Sequence, residues 1–251
     1  EIKQLCPPGI DIMKKTHREV KKPKISARYL ADYMGASETA RRTIIRDCKY
    51  RPIARLIQHD RAKAAVSRFI IDPMCDMDWL SEQAFDLREA IADDDFDRSV
   101  LDNNADYIDR YVEIGNAVDL PNVQYATTQP PAAISLNGTH VSSDIRFRLS
   151  RVTKTNKVRI GAGTLRYAKG KKLKAEVGLW QSAFMFGFLG STNDPDEAAA
   201  EEKLCLTIDA FTGVAHPAPS DSTRRFNNMS AACASIAERW PNVPPPDGAE
   251  L

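Results

Sequence analysis

Apolar positions along the chain fall into two regimes. Between Ser26 and Asp72 they recur at helical spacing: Tyr29, Leu30, Tyr33 and Met34, then Ile44, Ile45 and Cys48. Pro52 starts or breaks an element. A further helix is expected from His59 to Ile71, with Ala64, Ala65, Phe69 and Ile70 turned inward. Asp78 is placed to cap a helix whose Trp79, Leu80, Ala84, Leu87 and Ile91 share a face. Asp93, Asp94 and Asp95 end it, and Asp97 or Ser99 opens the next, with Val100, Leu101, Tyr107, Ile108, Tyr111 and Val112 as its apolar positions.

After Pro121 the period shortens, with Pro130 and Pro131 as a boundary. Ile134, Leu136, Asn137-Gly138 and Val141 read as a tight β-hairpin with a primed turn. Ile145, Phe147 and Leu149 alternate with Arg146 and Arg148, the pattern of a strand with one buried face. Thr155-Asn156 is a turn, and Val158, Ile160 and Ala162 alternate again, with Gly161 and Gly163 able to carry a bulge. A basic turn, Lys169 to Lys172, precedes an apolar helix from Ala175 to Leu189. An acidic loop (Ser191 to Glu202), a strand through Leu204, Leu206 and Ile208, and a helix from Arg225 to Trp240 follow. The expected class is α+β or α/β: a helical N-terminal half, then a small mixed sheet flanked by helices. The divisions are a basic arm over 1–24, a helical region over 25–120, a meander, helix and strand core over 121–240, and a disordered proline-rich tail over 241–251.

At 251 residues, 43% hydrophobic and 27% charged, the chain has the composition of a globular protein and can bury a core without staples. Its most apolar run, Val177 to Leu189, is too short to span a bilayer. The opening segment lacks the apolar region of a signal peptide, and its first residue, Glu1, suggests a missing or processed N-terminus. Cys6, Cys48, Cys75, Cys205 and Cys233 are scattered, as are His17, His59, His140 and His216, which points to a reducing cytoplasm and no Cys/His metal site.

The net charge of +1 conceals segregation. Residues 1–72 hold 17 Lys/Arg against 8 Asp/Glu, residues 73–120 hold 3 against 14, and residues 141–175 hold 11 against Asp144 alone. Two basic blocks suit a phosphate backbone, or they answer the acidic helices beside them. Tyr29, Tyr33, Tyr50 and Tyr167 lie within the basic blocks, where aromatic rings stack on bases. Trp79, Trp180 and Trp240 sit on apolar helical faces and belong to a core.

No GxxxxGK[ST] loop, dinucleotide fingerprint, GxSxG elbow or HExxH motif is present. Ala27 to Cys48, ARYLADYMGASETARRTIIRDC, looks like a helix-turn-helix presenting Arg41, Arg42 and Arg46, although Arg41 falls where a buried Val or Ile belongs. An ordinary helical hairpin with a glycine cap reads the same way. Asp209 and His216 flank a turn and form an acid–base pair on paper, though turn chemistry explains Asp209 as well.

From about Ser99 to Pro219, Asp144 opens one strand, Gly163-Thr164-Leu165-Arg166-Tyr167 forms the next, Trp180-Gln181-Ser182 lies on the following helix, and Leu204 to Asp209 adds a last strand. This order resembles the core of the PD-(D/E)xK nuclease superfamily, notably its RecB-like branch. The resemblance implies a restriction-endonuclease-like sheet, Asp144 as catalytic residue and Mg²⁺ ligand, and Thr164 and Arg166 where Glu and Lys belong. Thr cannot supply the charge and Arg is no ammonium, so Lys169 stands as a migrated lysine and Asp209 as a second acid.

The leading expectation is a nucleic-acid-binding protein, for DNA or RNA, with a degenerate nuclease-like core. Its contacts would come from Arg41, Arg42, Arg46, Arg146, Arg148, Arg159, Arg166, Lys169, Lys171 and Lys172. The alternatives are an active Mg²⁺-dependent nuclease, and an interaction module with a protein partner or a second copy of the chain.

Overall fold

The computed structural model describes residues 15–53, 58–128, 132–194 and 196–251. Its first half contains strands β1 (His17–Glu19) and β2 (Lys24–Ser26), helices α1 (Ala27–Met34) and α2 (Glu38–Lys49), strand β3 (Tyr50–Pro52), and helices α3 (Asp60–Ile71), α4 (Met77–Glu89) and α5 (Asp95–Ile114). Its second half contains β4 (Gln124–Thr127), β5 (Ala133–Leu136), β6 (Thr139–Ser142), β7 (Phe147–Val152), β8 (Val158–Arg166), α6 (Ala175–Thr192), β9 (Ala198–Asp209), β10 (Val214–Pro217) and α7 (Ser222–Arg239).

Side-chain caps fix where the helices begin. Ser26 and Ser37 accept the amides of Tyr29 and Ala40, starting α1 and α2. Asp76, not Asp78, caps α4 by accepting Trp79 N at 2.8 Å. Asp94, rather than Asp97 or Ser99, caps α5 by accepting Asp97 N at 2.8 Å. Ile91 therefore falls beyond α4 and is 95% exposed. The phase of α3 also differs from expectation: Ala62 and Val66 are buried and Ala64 is exposed. Buried Asn104 on α5 sets that phase, accepting Ala62 N at 2.9 Å and donating to Gln58 O at 2.8 Å.

The main sheet has the order β10-β9-β8-β7-β4, with β8 and β9 parallel and every other pair antiparallel. Alternation along its strands builds two cores. Phe147, Leu149, Leu165, Leu204, Leu206 and Ile208 face α3, α4 and α5. Ala162 and Cys205 face the other way, into a core shared with α1, α2, α6 and α7, and Thr207 on that side accepts Ser182 Oγ of α6 at 2.8 Å. The result is three layers, helices–sheet–helices, and the helical N-terminal half supplies helices to both outer layers rather than standing apart.

A second sheet, β2-β6-β5, contains the expected hairpin: Asn137 and Gly138 have φ of 42° and 84°, the left-handed pair a primed turn requires. Gly161 serves close strand approach, since a Cβ there would meet the Leu204 carbonyl oxygen at 2.0 Å. The register shift it accompanies adds residues to β9, not β8.

Pro130 and Pro131 lie outside the described residues, as do residues 1–14 of the basic arm, while residues 17–19 and 24–26 are strand-paired with β3 and β6. The acidic loop ends early, because residues 198–200 pair with β8 and Arg151 neutralises Glu201 through two contacts of 2.9 Å. The proline-rich tail is tied down: Glu250 O accepts Thr16 N at 2.9 Å, and Val243 O accepts Lys49 Nζ and Tyr50 Oη. Cys48, Cys75, Cys205 and Cys233 are free and buried. Burial pushes the Cys48, Cys205 and Cys233 thiols up to about 12, far from reactivity. Among the described residues no helix is long and apolar enough to cross a membrane.

Candidate functional site

The β7–β8 register positions the site. Phe147 of β7 pairs with Gly163 of β8, and Arg146 N also donates to Gly163 O at 2.8 Å, so the regular register ends there and Asp144 lies in the unpaired segment that leads into β7. Thr164 and Arg166 share the sheet face toward α6, and Gln181 projects from that helix. Arg166 is 8% exposed and bonds through both terminal guanidinium nitrogens. It donates to Asp32 Oδ1 at 2.7 Å, Gln181 Oε1 at 3.0 Å and Arg28 O at 3.3 Å. Burial lowers its pKa, with Asp32 opposing, yet an arginine stays charged. Two positions singled out in the sequence, Arg166 and Gln181, thus meet, joined by Arg28 and Asp32 of α1, while Asp144 acts on Arg166 through its charge alone.

Asp144 meets cations on both oxygens. Arg146 donates Nε to Oδ1 at 3.0 Å and sets NH2 2.8 Å from the same oxygen as an ion pair, and Lys63 of α3 reaches Oδ2 at 3.3 Å. Arg146 also contacts Asp60 at 3.2 Å. Burial lowers the Lys63 pKa, Arg146 and Arg28 push the same way, and Asp144 opposes. A divalent cation needs several oxygen ligands, and among the described residues no group of three His, Cys, Asp or Glu converges. The residues around Asp144 therefore do not fit Mg²⁺.

Lys169 and Asp209 have other work. Lys169 sits on the exposed turn after β8, 2.7 Å from Asp106, a pairing that raises its pKa. Asp209 is buried and clamps the turns beside it, accepting Leu173 N at 2.9 Å, Phe211 N at 3.0 Å and Thr212 Oγ1 at 2.6 Å. Oδ1 bonds Phe211 N, and Oδ2 bonds Leu173 N and Thr212 Oγ1, the turn chemistry that an Asp before a glycine turn supplies.

Beside this network lies a basin of about 510 Å³ lined by Arg28, Arg166, Lys171, Lys172 and Lys174, with the first turns of α2 and α6. The carboxylates lining it, Asp32 and Asp209, are the two already engaged. Lys171, Lys172 and Lys174 have no acidic partner among the described residues. Helix N-termini add partial positive charge to the same space.

The remaining arginines divide. Arg41 donates to Tyr33 O at 2.9 Å and Met34 O at 3.3 Å, so it caps α1 instead of facing a ligand. Arg42 and Arg46 stand near Glu38 and Asp47 at 3.7 Å and 3.9 Å. Arg148 is half-buried on the α6 side of the sheet, where burial lowers its pKa, and Arg159 pairs across the ladder with Arg151 at the far end of β8.

Several polar atoms around the ion pairs are buried without a protein partner: Arg28 Nε, His59 Nδ1, Tyr107 Oη and Thr164 Oγ1. Burial lowers the pKa of His59 from the ordinary 6.5, with Lys63 and Arg28 adding to it, and burial likewise lowers that of His216. The unfolded chain protonates first, so stability is complete above 6.5 and falls as pH drops below it. Urea midpoints measured across this range should decline on acidification, and His59→Gln should flatten the decline.

No protein-family model matches the sequence, and no curated protein is significantly similar to it.

Proposed function

We propose that this chain binds nucleic acid through its phosphate backbone, on a core of the PD-(D/E)xK type in which ion pairs occupy the positions of the metal ligands. The order α5, β4, β7, β8, α6, β9, with the last strand parallel to β8, supports the nuclease-like reading. Arg166 with Asp32, and Asp144 with Lys63 and Arg146, account for the degenerate motif.

The observation that carries the proposal is the basin: Lys171, Lys172 and Lys174 converge with Arg28 where the acids are already spoken for. Such a surface binds polyanions by releasing counterions. Mobility shift with DNA and RNA is expected to show retention at about 50 mM salt that fades by about 200 mM, with no strand scission in Mg²⁺ or Mn²⁺. Absence of retention at the lower salt sinks the proposal. Mg²⁺-dependent scission that disappears in Asp144→Ala would replace it with an active nuclease.

A further inference from the structure

The fold separates the tyrosines of the basic blocks. Tyr33, Tyr50 and Tyr167 are 4%, 5% and 7% exposed, whereas Tyr29 is 47% exposed. Tyr50 donates its hydroxyl to Val243 O at 3.0 Å, and Tyr167 stacks on Tyr107 with ring centroids 4.1 Å apart. Phe85 is the other well-exposed aromatic ring among the described residues, and it lies on α4 within the acidic stretch.

Tyr29 borders a groove of about 1120 Å³ whose walls include His17 and Arg18 of β1, Lys24 of β2, Arg51 of β3, and Ile53. The acid lining it, Asp47, stands 3.9 Å from Arg46. The Arg28 guanidinium lies 6.0 Å from the Tyr29 ring centroid and lines the basin beside Arg166. Consecutive residues of one helix therefore reach two cationic cavities, and one cavity offers an open aromatic face.

We infer that the groove is a binding site for single-stranded nucleic acid, with an unpaired base stacked on Tyr29 and phosphates along Arg18, Lys24 and Arg51. A duplex keeps its bases stacked on each other, so only a strand with free base faces gains from this ring. Stacking tolerates any base, because each has a π-face. The inference rests on the nucleic-acid reading and adds strandedness to it.

Fluorescence anisotropy on the full chain tests it with four probes of equal length: a labelled dT strand, a labelled rU strand, a strand of abasic sites, and a blunt duplex. The dT and rU strands are expected to bind more tightly than the abasic one. Tyr29→Ala should weaken both by about tenfold while leaving the abasic strand and duplex unchanged, and Tyr29→Phe should retain the wild-type preference. Equal binding of the base-bearing and abasic strands, or equal weakening of all probes by Tyr29→Ala, overturns the inference. If Lys171→Ala/Lys172→Ala still weakens every probe, only the groove assignment falls. If the wild-type chain retains no probe, the nucleic-acid reading falls with it.

Discussion

Replacing Asp32 by alanine is expected to destabilise the chain by about 3 kcal/mol, because it leaves a buried guanidinium without its carboxylate. Arg166 is 8% exposed, and its contacts besides Asp32 are the neutral Gln181 side chain and the Arg28 carbonyl. The side chain of Asp32 is 29% exposed, so Arg166→Met, which strands the acid instead, should cost less. Asp32→Ala/Arg166→Met should then lie well above the sum of its single variants. Arg166→Lys is not a mild change, since separate guanidinium nitrogens bond Asp32 and Gln181. Lys169→Ala, which breaks a pair whose lysine is 67% exposed and screened by solvent, should cost far less than Asp32→Ala. Urea titration of the set gives the comparison. An Asp32→Ala variant as stable as wild type would mean that Arg166 is held by something other than this pair.

Local chemistry was legible in the sequence, and long-range pairing was not. Asn137-Gly138 announces its turn because only a few residues accept positive φ. The alternation of Phe147 and Leu149 with arginines announces β7 because those two side chains enter one core, although Ile145, read on the same face, enters the other. Strands β4 and β10 carry little such signal, being four-residue edge strands with mostly exposed or half-exposed side chains. Element order led to Asp144, Arg166 and Gln181. Their partners Asp32 and Lys63 stayed hidden, since Asp32 is 134 residues from Arg166 and Lys63 is 81 from Asp144. A trace was present in Lys63, a base among alanines on a helix that packs on the core. Arg41 is instructive in the opposite way: its poor fit to a helix-turn-helix reflects a real role, bonding the last carbonyls of α1. The basic block counted in the sequence includes cations already consumed by internal pairs, and only geometry separates these from Lys171, Lys172 and Lys174.

That separation makes the salt dependence of binding the more searching measurement. A surface neutralising roughly four phosphates should lose about 100-fold in affinity between about 50 and 200 mM salt. Lys171→Ala/Lys172→Ala removes two basin cations, so the log–log slope should drop by about two and the loss over the same range should shrink to about tenfold. Arg41→Ala should leave the slope untouched, because its guanidinium already bonds Tyr33 O and Met34 O. Arg146→Ala should do the same, since Asp144 and Asp60 hold that side chain. A count of basic residues predicts that all three variants flatten the slope in proportion to the charge removed. The structure predicts that only the basin lysines do. Equal effects from Arg41→Ala and the double lysine variant would return the argument to net charge and remove the basin from it.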